Sequence, residues 1–139
     1  MRVGVPSEIK KNEHRVGLTP TAVREYVAHG HDVSVQAGAG TVAGFTDADY
    51  EKAGATIVAD AATIFAKADM IVKVKEPQAE ERKKLHPGQI LFTYLHLAAS
   101  PACTRAILDA GTTAIAYETV TRGRSLPLLA PMSQVAGRL

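Results

Sequence analysis

The sequence predicts an α/β domain built on a mostly parallel sheet, and three observations carry that prediction. Short β-rich runs alternate with amphipathic helical stretches along the 139 residues. The intervals between most successive runs hold a helix, the spacing of βαβ units. Helix ends are marked by capping residues, prolines and glycines in the expected positions.

Arg2 to Val5 reads as the first strand, stopped by Pro6. Thr19-Pro20 opens a helix, with threonine as cap and proline at the first helical position. Val23, Tyr26 and Val27 share one face of it, and Gly30 ends it. Asp32 to Gln36 is the second strand. Thr46-Asp47-Ala48-Asp49 has the form of a capping box and starts a short helix ending at Gly54. Thr56 to Val58 is the third strand, and Asp60 caps a helix with Ile64, Phe65 and Ala68 inward. Met70 to Val74 and Ile90 to Leu95 are the fourth and fifth strands. Ser100-Pro101 opens a helix with Cys103, Ala106, Ile107 and Ala110 on one stripe, closed by Gly111. Thr113 to Tyr117 is the sixth strand. No repeat or low-complexity tract interrupts the pattern. The last residues read as a helix just begun, with Ser133 as its cap, so the chain is expected to be one part of a longer protein.

Composition narrows the function. A chain of this length makes one ordinary domain with a real core. The apolar fraction of 46% and charged fraction of 22% are those of a water-soluble globular protein. The formal net charge of +2 gives no argument for nucleic acid or for an acidic membrane surface. Glu80-Glu81-Arg82-Lys83-Lys84 mixes signs and reads as a solvated helical turn. The single cysteine, Cys103, excludes an internal disulfide and fits a reducing compartment. No apolar run approaches membrane-spanning length, and the amino terminus lacks a secretory h-region. A cytoplasmic location is expected.

In an open parallel sheet, ligands bind beyond the carboxyl ends of the strands. Three groups are predicted there. In Met70 to Lys75, alternation puts Lys73 and Lys75 on one face, with Lys75 at the carboxyl end before Glu76-Pro77. Taken singly, Lys75 reads as a cation snorkelling to water. His96 ends the fifth strand, as either a proton carrier or a structural imidazole. Arg15 lies in the loop after the first strand, among Lys10, Lys11, Glu13 and His14, and reads as a surface charge or a two-pronged carboxylate clamp. Jointly the three supply a carboxylate clamp, a carbonyl-polarising cation and an acid/base, a set that suits a small 2-oxo or 2-amino acid.

Other motifs point elsewhere. Gly38-Ala39-Gly40-Thr41-Val42-Ala43 has the spacing of a dinucleotide fingerprint, but Gly44 and the cap Thr46 follow, so it reads as a turn. Cys103 reads as core packing. His29, His31 and His86 have no metal-ligand spacing, and no metal site is expected.

Several segments together resemble one family. Met1 to Glu8 with Asn12-Glu13-His14-Arg15-Val16 is similar to the opening shared by alanine dehydrogenases and the alpha subunit of the proton-translocating nicotinamide nucleotide transhydrogenase; Gln36 to Gly40 is common to both. Val72 to Pro77, Phe92 to Ala98, Ala116 to Val120, Leu128 to Ser133 and Val135 to Leu139 resemble the dehydrogenase, and the transhydrogenase lacks the histidine of the second of these. The resemblance spans the whole chain. The turn Thr121 to Ser125 looks one residue short.

The resemblance implies an α/β, Rossmann-like (flavodoxin-like), mostly parallel sheet with helices on both faces, incomplete at its carboxyl-terminal end. Residues 1–128 would be the substrate-binding part, and 129–139 the start of a linker helix into an NAD-binding domain. The implied reaction is the reversible conversion of L-alanine, NAD and water to pyruvate, ammonium and NADH. Arg15 would bind the substrate carboxylate and Lys75 the carbonyl oxygen, His96 would carry the proton, and Tyr94 and Met132 would line the pocket. Ser133 would contact NAD. The family assembles as a homohexamer, with no nucleic acid or membrane partner. The remaining part of such an enzyme would return to complete this domain, so one sheet face is expected to be uncovered. The alternatives are a transhydrogenase alpha-subunit domain, a relative acting on lysine or saccharopine, and a binding or assembly module without catalysis.

Overall fold

The computed structural model describes residues 1–138. Its elements alternate as expected: β1 (Arg2–Val5), α1 (Pro20–Ala28), β2 (Asp32–Gln36), α2 (Asp47–Lys52), β3 (Thr56–Val58), α3 (Ala61–Lys67), β4 (Met70–Val72), α4 (Ala79–Arg82), β5 (Ile90–Thr93), α5 (Pro101–Ala110), β6 (Thr113–Ala116) and α6 (Ala130–Ala136). The caps are those the sequence indicates. The Thr19 hydroxyl accepts from Ala22 N–H, Thr46 and Asp49 form a reciprocal box, Asp60 accepts from Thr63 N–H, and Ser100 accepts from Cys103 N–H. Gly111 closes α5 at φ 65°, a left-handed position that costs a glycine little.

All six strands pair in parallel, in the order β3-β2-β1-β4-β5-β6. This is the doubly wound Rossmann order. Without the three-residue edge strand β3 it becomes the flavodoxin order, so both parts of the expected description apply. The direction of winding reverses between β1 and β4, and the loops leaving those strands part there.

Helices cover both faces. On one, Val23 of α1, Tyr50 of α2 and Ala53, which caps α2, pack against Val3, Val5, Val33, Val35 and Val72. On the other, Ile64 and Phe65 of α3 and Cys103 and Ile107 of α5 pack against Ile71 and Leu91. The first face is thinly covered over β5 and β6. There Phe92 and Tyr94 meet Tyr117 edge-on, at centroid distances of 4.4 and 4.8 Å, while Ile115 is 41% exposed. Leu18, Tyr26, Leu128, Pro131 and Met132 border this patch, and the segment before α6 is tied down by the Tyr94 hydroxyl, which donates to Leu128 C=O at 2.6 Å.

Three expectations need correction. Strands four, five and six are shorter than read, ending at Val72, Thr93 and Ala116, although Tyr94 N–H still donates to Val74 C=O at 3.3 Å as the chains pass into the loops of the site. Ser133 is not a helix cap. The helix begins at Ala130, admits Pro131 in its first turn, and carries Ser133 inside, its hydroxyl donating back to Leu129 C=O at 3.4 Å. The charged run around Glu81 is helical but not solvated throughout: Glu81 is 2% exposed. The Gly38–Gly40 segment is a turn leading only to the 3₁₀ turn Thr41–Ala43. Gly38 N–H is already taken by the Asp47 carboxylate at 2.8 Å, and a Cβ on Gly40 would lie 2.6 Å from the Tyr50 ring.

Candidate active site

Arg15, Lys75 and His96 follow β1, β4 and β5 respectively, and parallel pairing sends all three loops to one edge of the sheet. The crevice between the β1 and β4 loops is the switch point, where such sheets bind ligands.

Arg15, Tyr94 and Met132 line one hollow of about 320 Å³, with Val16, Thr19, Ala43, Phe45, Val74 and Tyr117. Arg15 is oriented by Glu13. Its Nε and Nη2 donate to the two Glu13 oxygens at 2.8 and 2.6 Å, while the Glu13 carboxylate also accepts the Arg15 backbone N–H at 2.9 Å. Nη1 is directed at Met132 Sδ, 3.5 Å away. One edge of the guanidinium is therefore held by Glu13, and the Nη1 side, with Met132 Sδ as a weak acceptor, borders the hollow; a guanidinium held this way can offer its remaining N–H groups to an anion.

Lys75 does not line this hollow. It lies near enough to Glu13 for its ammonium to help keep that carboxyl ionised. His96 is exposed and stacks on Tyr94, with ring centroids 6.2 Å apart and an interplanar angle of 18°. Tyr94 is thus the bridge between the Arg15 hollow and the imidazole. Ser133 is exposed one residue after Met132, on α6. Three of the six candidate residues share a cavity, two reach it through a neighbour, and Ser133 adjoins it in sequence.

Sequence reasoning missed the acids that hold these groups. Glu8, from the β1 loop, accepts Val74 N–H at 2.6 Å and Lys75 N–H at 3.4 Å, and it receives the Lys73 ammonium at 3.1 Å. Lys73 is fully buried, and its Nζ also lies 2.7 Å from Glu81 Oε1. Strand alternation does place Lys73 away from Val72 and Val74, but it points into the protein. The available signal was Glu8 itself: an acid just past one central strand opposite a lysine just past its neighbour.

Charge pairing makes the fold sensitive to acid. Side-chain hydrogen bonds from Arg15 draw the Glu13 carboxyl from its ordinary 4.5 down to about 2, and those from Arg2 draw Asp69 from 3.8 to about 2. A depressed carboxyl stabilises the folded state above its unfolded value and loses that contribution as pH falls through the folded one. Glu8 acts oppositely. Burial raises it above 4.5, so its contribution declines as pH rises. Thermal melts are expected to show stability lost between pH 4.5 and about 2, with Glu13→Gln flattening part of that slope; an unchanged slope contradicts the Glu13 assignment.

Comparison with known proteins decides the family. The family described as "Alanine dehydrogenase/PNT, N-terminal domain" matches residues 4–136. The chain belongs to this family. Alanine dehydrogenase of Mycobacterium tuberculosis strain H37Rv is 60% identical over the whole chain, and that of Bacillus subtilis strain 168 is 55% identical. The chain spans 38% and 36% of their respective lengths. A solved L-alanine dehydrogenase superposes with a TM-score of 0.94 at 51% identity, covering 99% of this chain and 38% of the other. A transhydrogenase from Sinorhizobium meliloti gives 0.82 at 32%, covering 88% of this chain and 35% of the other. Within the family, this member is therefore more similar to the alanine dehydrogenases than to that transhydrogenase. No helix among the described residues is long and apolar enough to cross a membrane.

Proposed function

We propose that this chain is the substrate-binding part of an NAD-dependent alanine dehydrogenase, interconverting L-alanine, NAD and water with pyruvate, ammonium and NADH. The observation that carries the reading is the hollow at the switch point, bordered by the Nη1 side of a guanidinium whose other edge is occupied by Glu13. In this reading Arg15 grips the substrate carboxylate with paired, charge-assisted hydrogen bonds. Lys75 stabilises negative charge on the carbonyl oxygen. His96 holds the proton exchanged as ammonia adds and water leaves. Tyr94 and Met132 form the apolar wall that excludes water around the substrate methyl group.

NAD, when bound, supplies the hydride acceptor of this reaction. The described residues offer it little: Gly38 N–H is engaged by Asp47, and no α-helix starts at the glycine run. Ser133, exposed on α6 beside Met132, is the residue that would touch it. Residues 129–139 then lead from the substrate part, 1–128, toward a nucleotide-binding domain. Assembly into a homo-oligomer, the hexamer of the resemblance, and a cytoplasmic location belong to the same proposal.

The 139-residue chain alone is expected to show no NADH oxidation with pyruvate and ammonium. Pyruvate should nevertheless shift the amide signals of Arg15, Tyr94 and Met132, and Arg15→Ala should abolish the response. Robust turnover by the chain alone refutes the division of labour; a pyruvate titration that moves none of these signals refutes the site.

A further inference from the structure

His96 sits where its backbone is uncomfortable. Its φ and ψ are 48° and 42°, in the left-handed region. Among the described residues only Asn12 shares a positive φ without being glycine. A Cβ in this region crowds the following carbonyl, so surrounding contacts must hold the conformation. The succeeding 3₁₀ turn Leu97–Ala99 has no side-chain cap to do so.

The contact comes from the next strand over. Glu118 lies in the 3₁₀ turn Tyr117–Thr119 that follows β6. Its carboxylate accepts His96 N–H at 2.8 Å through Oε1, and Leu95 N–H at 3.0 and 3.3 Å through its two oxygens. These bonds hold the peptide plane that enters His96, and Ala99 N–H, donating to His96 C=O at 3.0 Å, holds the plane that leaves it; with both planes held, the left-handed rotation between them persists. β5 and β6 pair in register from Ile90–Thr113 to Thr93–Ala116, which carries Glu118 to the end of the neighbouring strand.

We propose that Glu118 is the positioning residue of His96: it gathers the Leu95 and His96 amides, anchors the peptide plane from which the left-handed turn departs, and so sets the imidazole against the Tyr94 ring at the mouth of the Arg15 hollow. The functional part of this inference rests on His96 being the proton carrier; the conformational part does not. A carboxylate suits the task because it only accepts. A glutamine would offer one acceptor and turn a donor toward a donor. Burial pushes the Glu118 carboxyl up, but the His96 and Leu95 N–H groups and the nearby imidazole hold it below the ordinary carboxylate range. Tyr94 also senses its charge.

The test uses Glu118→Gln, Glu118→Ala and Glu118→Asp in the 139-residue chain and in an enzyme completed with a nucleotide-binding domain. In the chain, the HN–Hα coupling and amide shift of His96 report φ. The glutamine and alanine variants are expected to lose the left-handed values while amides of β1 and β2 stay in place. In the enzyme, turnover should fall by up to about 10²-fold with KM for the amino acid near the parent value, because the substrate is still bound but the proton carrier is displaced; aspartate should recover part of it. His96 values and turnover that survive in Glu118→Ala overturn the proposal. Were the variants not to fold, the parent chain still decides: the Leu95 and His96 amide shifts must follow one ionisation below the ordinary carboxylate range, and amides that do not titrate there overturn it. An active His96→Ala enzyme alongside a displaced His96 in Glu118→Ala would refute the proton-carrier reading and leave the positioning intact.

Discussion

Replacing His96 with alanine, in an enzyme completed with a nucleotide-binding domain, is expected to lower turnover by about 10²–10⁴-fold, the usual contribution of a positioned proton carrier. The parts of the site separate in a way that makes the result diagnostic. Arg15, Tyr94 and Met132 line the hollow without His96, which contacts it through the Tyr94 ring. Truncating the imidazole therefore leaves the Arg15, Tyr94 and Met132 lining in place, and under the proposed reading binding of alanine or pyruvate should remain near the parent value. The loss should appear in kcat and kcat/KM alike, the signature of an interaction made in the transition state. Steady-state rates across pH check it. Unchanged turnover would remove His96 from the chemistry, and a large rise in KM at constant kcat would make it a binding group.

The second large effect is on stability. Lys73→Met should destabilise the chain by about 3–5 kcal/mol, because removing one partner of a buried ion cluster strands the others. Two carboxylates meet one ammonium here, in a space where Lys73 is 0% and Glu81 2% exposed. Without the ammonium, Glu8 keeps the Val74 and Lys75 N–H groups, and Glu81 keeps Gln78 N–H. Neither set neutralises a buried anion. The melting temperature should fall on the order of 10 °C. The variant should regain stability as pH drops, since the folded state then binds protons more tightly than the unfolded chain. Adding Glu81→Leu should restore part of the loss by removing one stranded charge. A melt within a degree or two of the parent would show that water or relaxation already screens the cluster.

The same cluster marks how far local pattern reading reaches. The run around Glu80–Lys84 has the composition of a solvated face, and local pattern cannot reveal that Glu81 turns inward. That orientation depends on Lys73 arriving from β4, eight residues earlier in the chain and on a different element. Glu8 is a similar case. Its partners are the main-chain amides of Val74 and Lys75, which no side-chain motif announces. Ser133 was misread for another reason. A serine before a helical stretch looks like a cap, but Pro131 fits the first turn and lets the helix begin earlier.

Strand order, caps and site loops divide along the same line. By itself the sequence determined the alternation of strands and helices, the helix starts at Thr19, Thr46, Asp60 and Ser100, and the set of polar residues that leave strands at their carboxyl ends. These follow from interactions between near neighbours: a hydroxyl or carboxylate reaching three residues ahead, a side chain alternating faces. Only the tertiary structure decided that Arg15, Tyr94 and Met132 line one hollow, that Lys73 is buried between two acids, and that Glu118 accepts the Leu95 and His96 amides. Each of those depends on groups brought together from distant parts of the chain by the strand order. Of the three, only the Lys73 cluster is shut off from water, which makes its charge pairing the most costly to break.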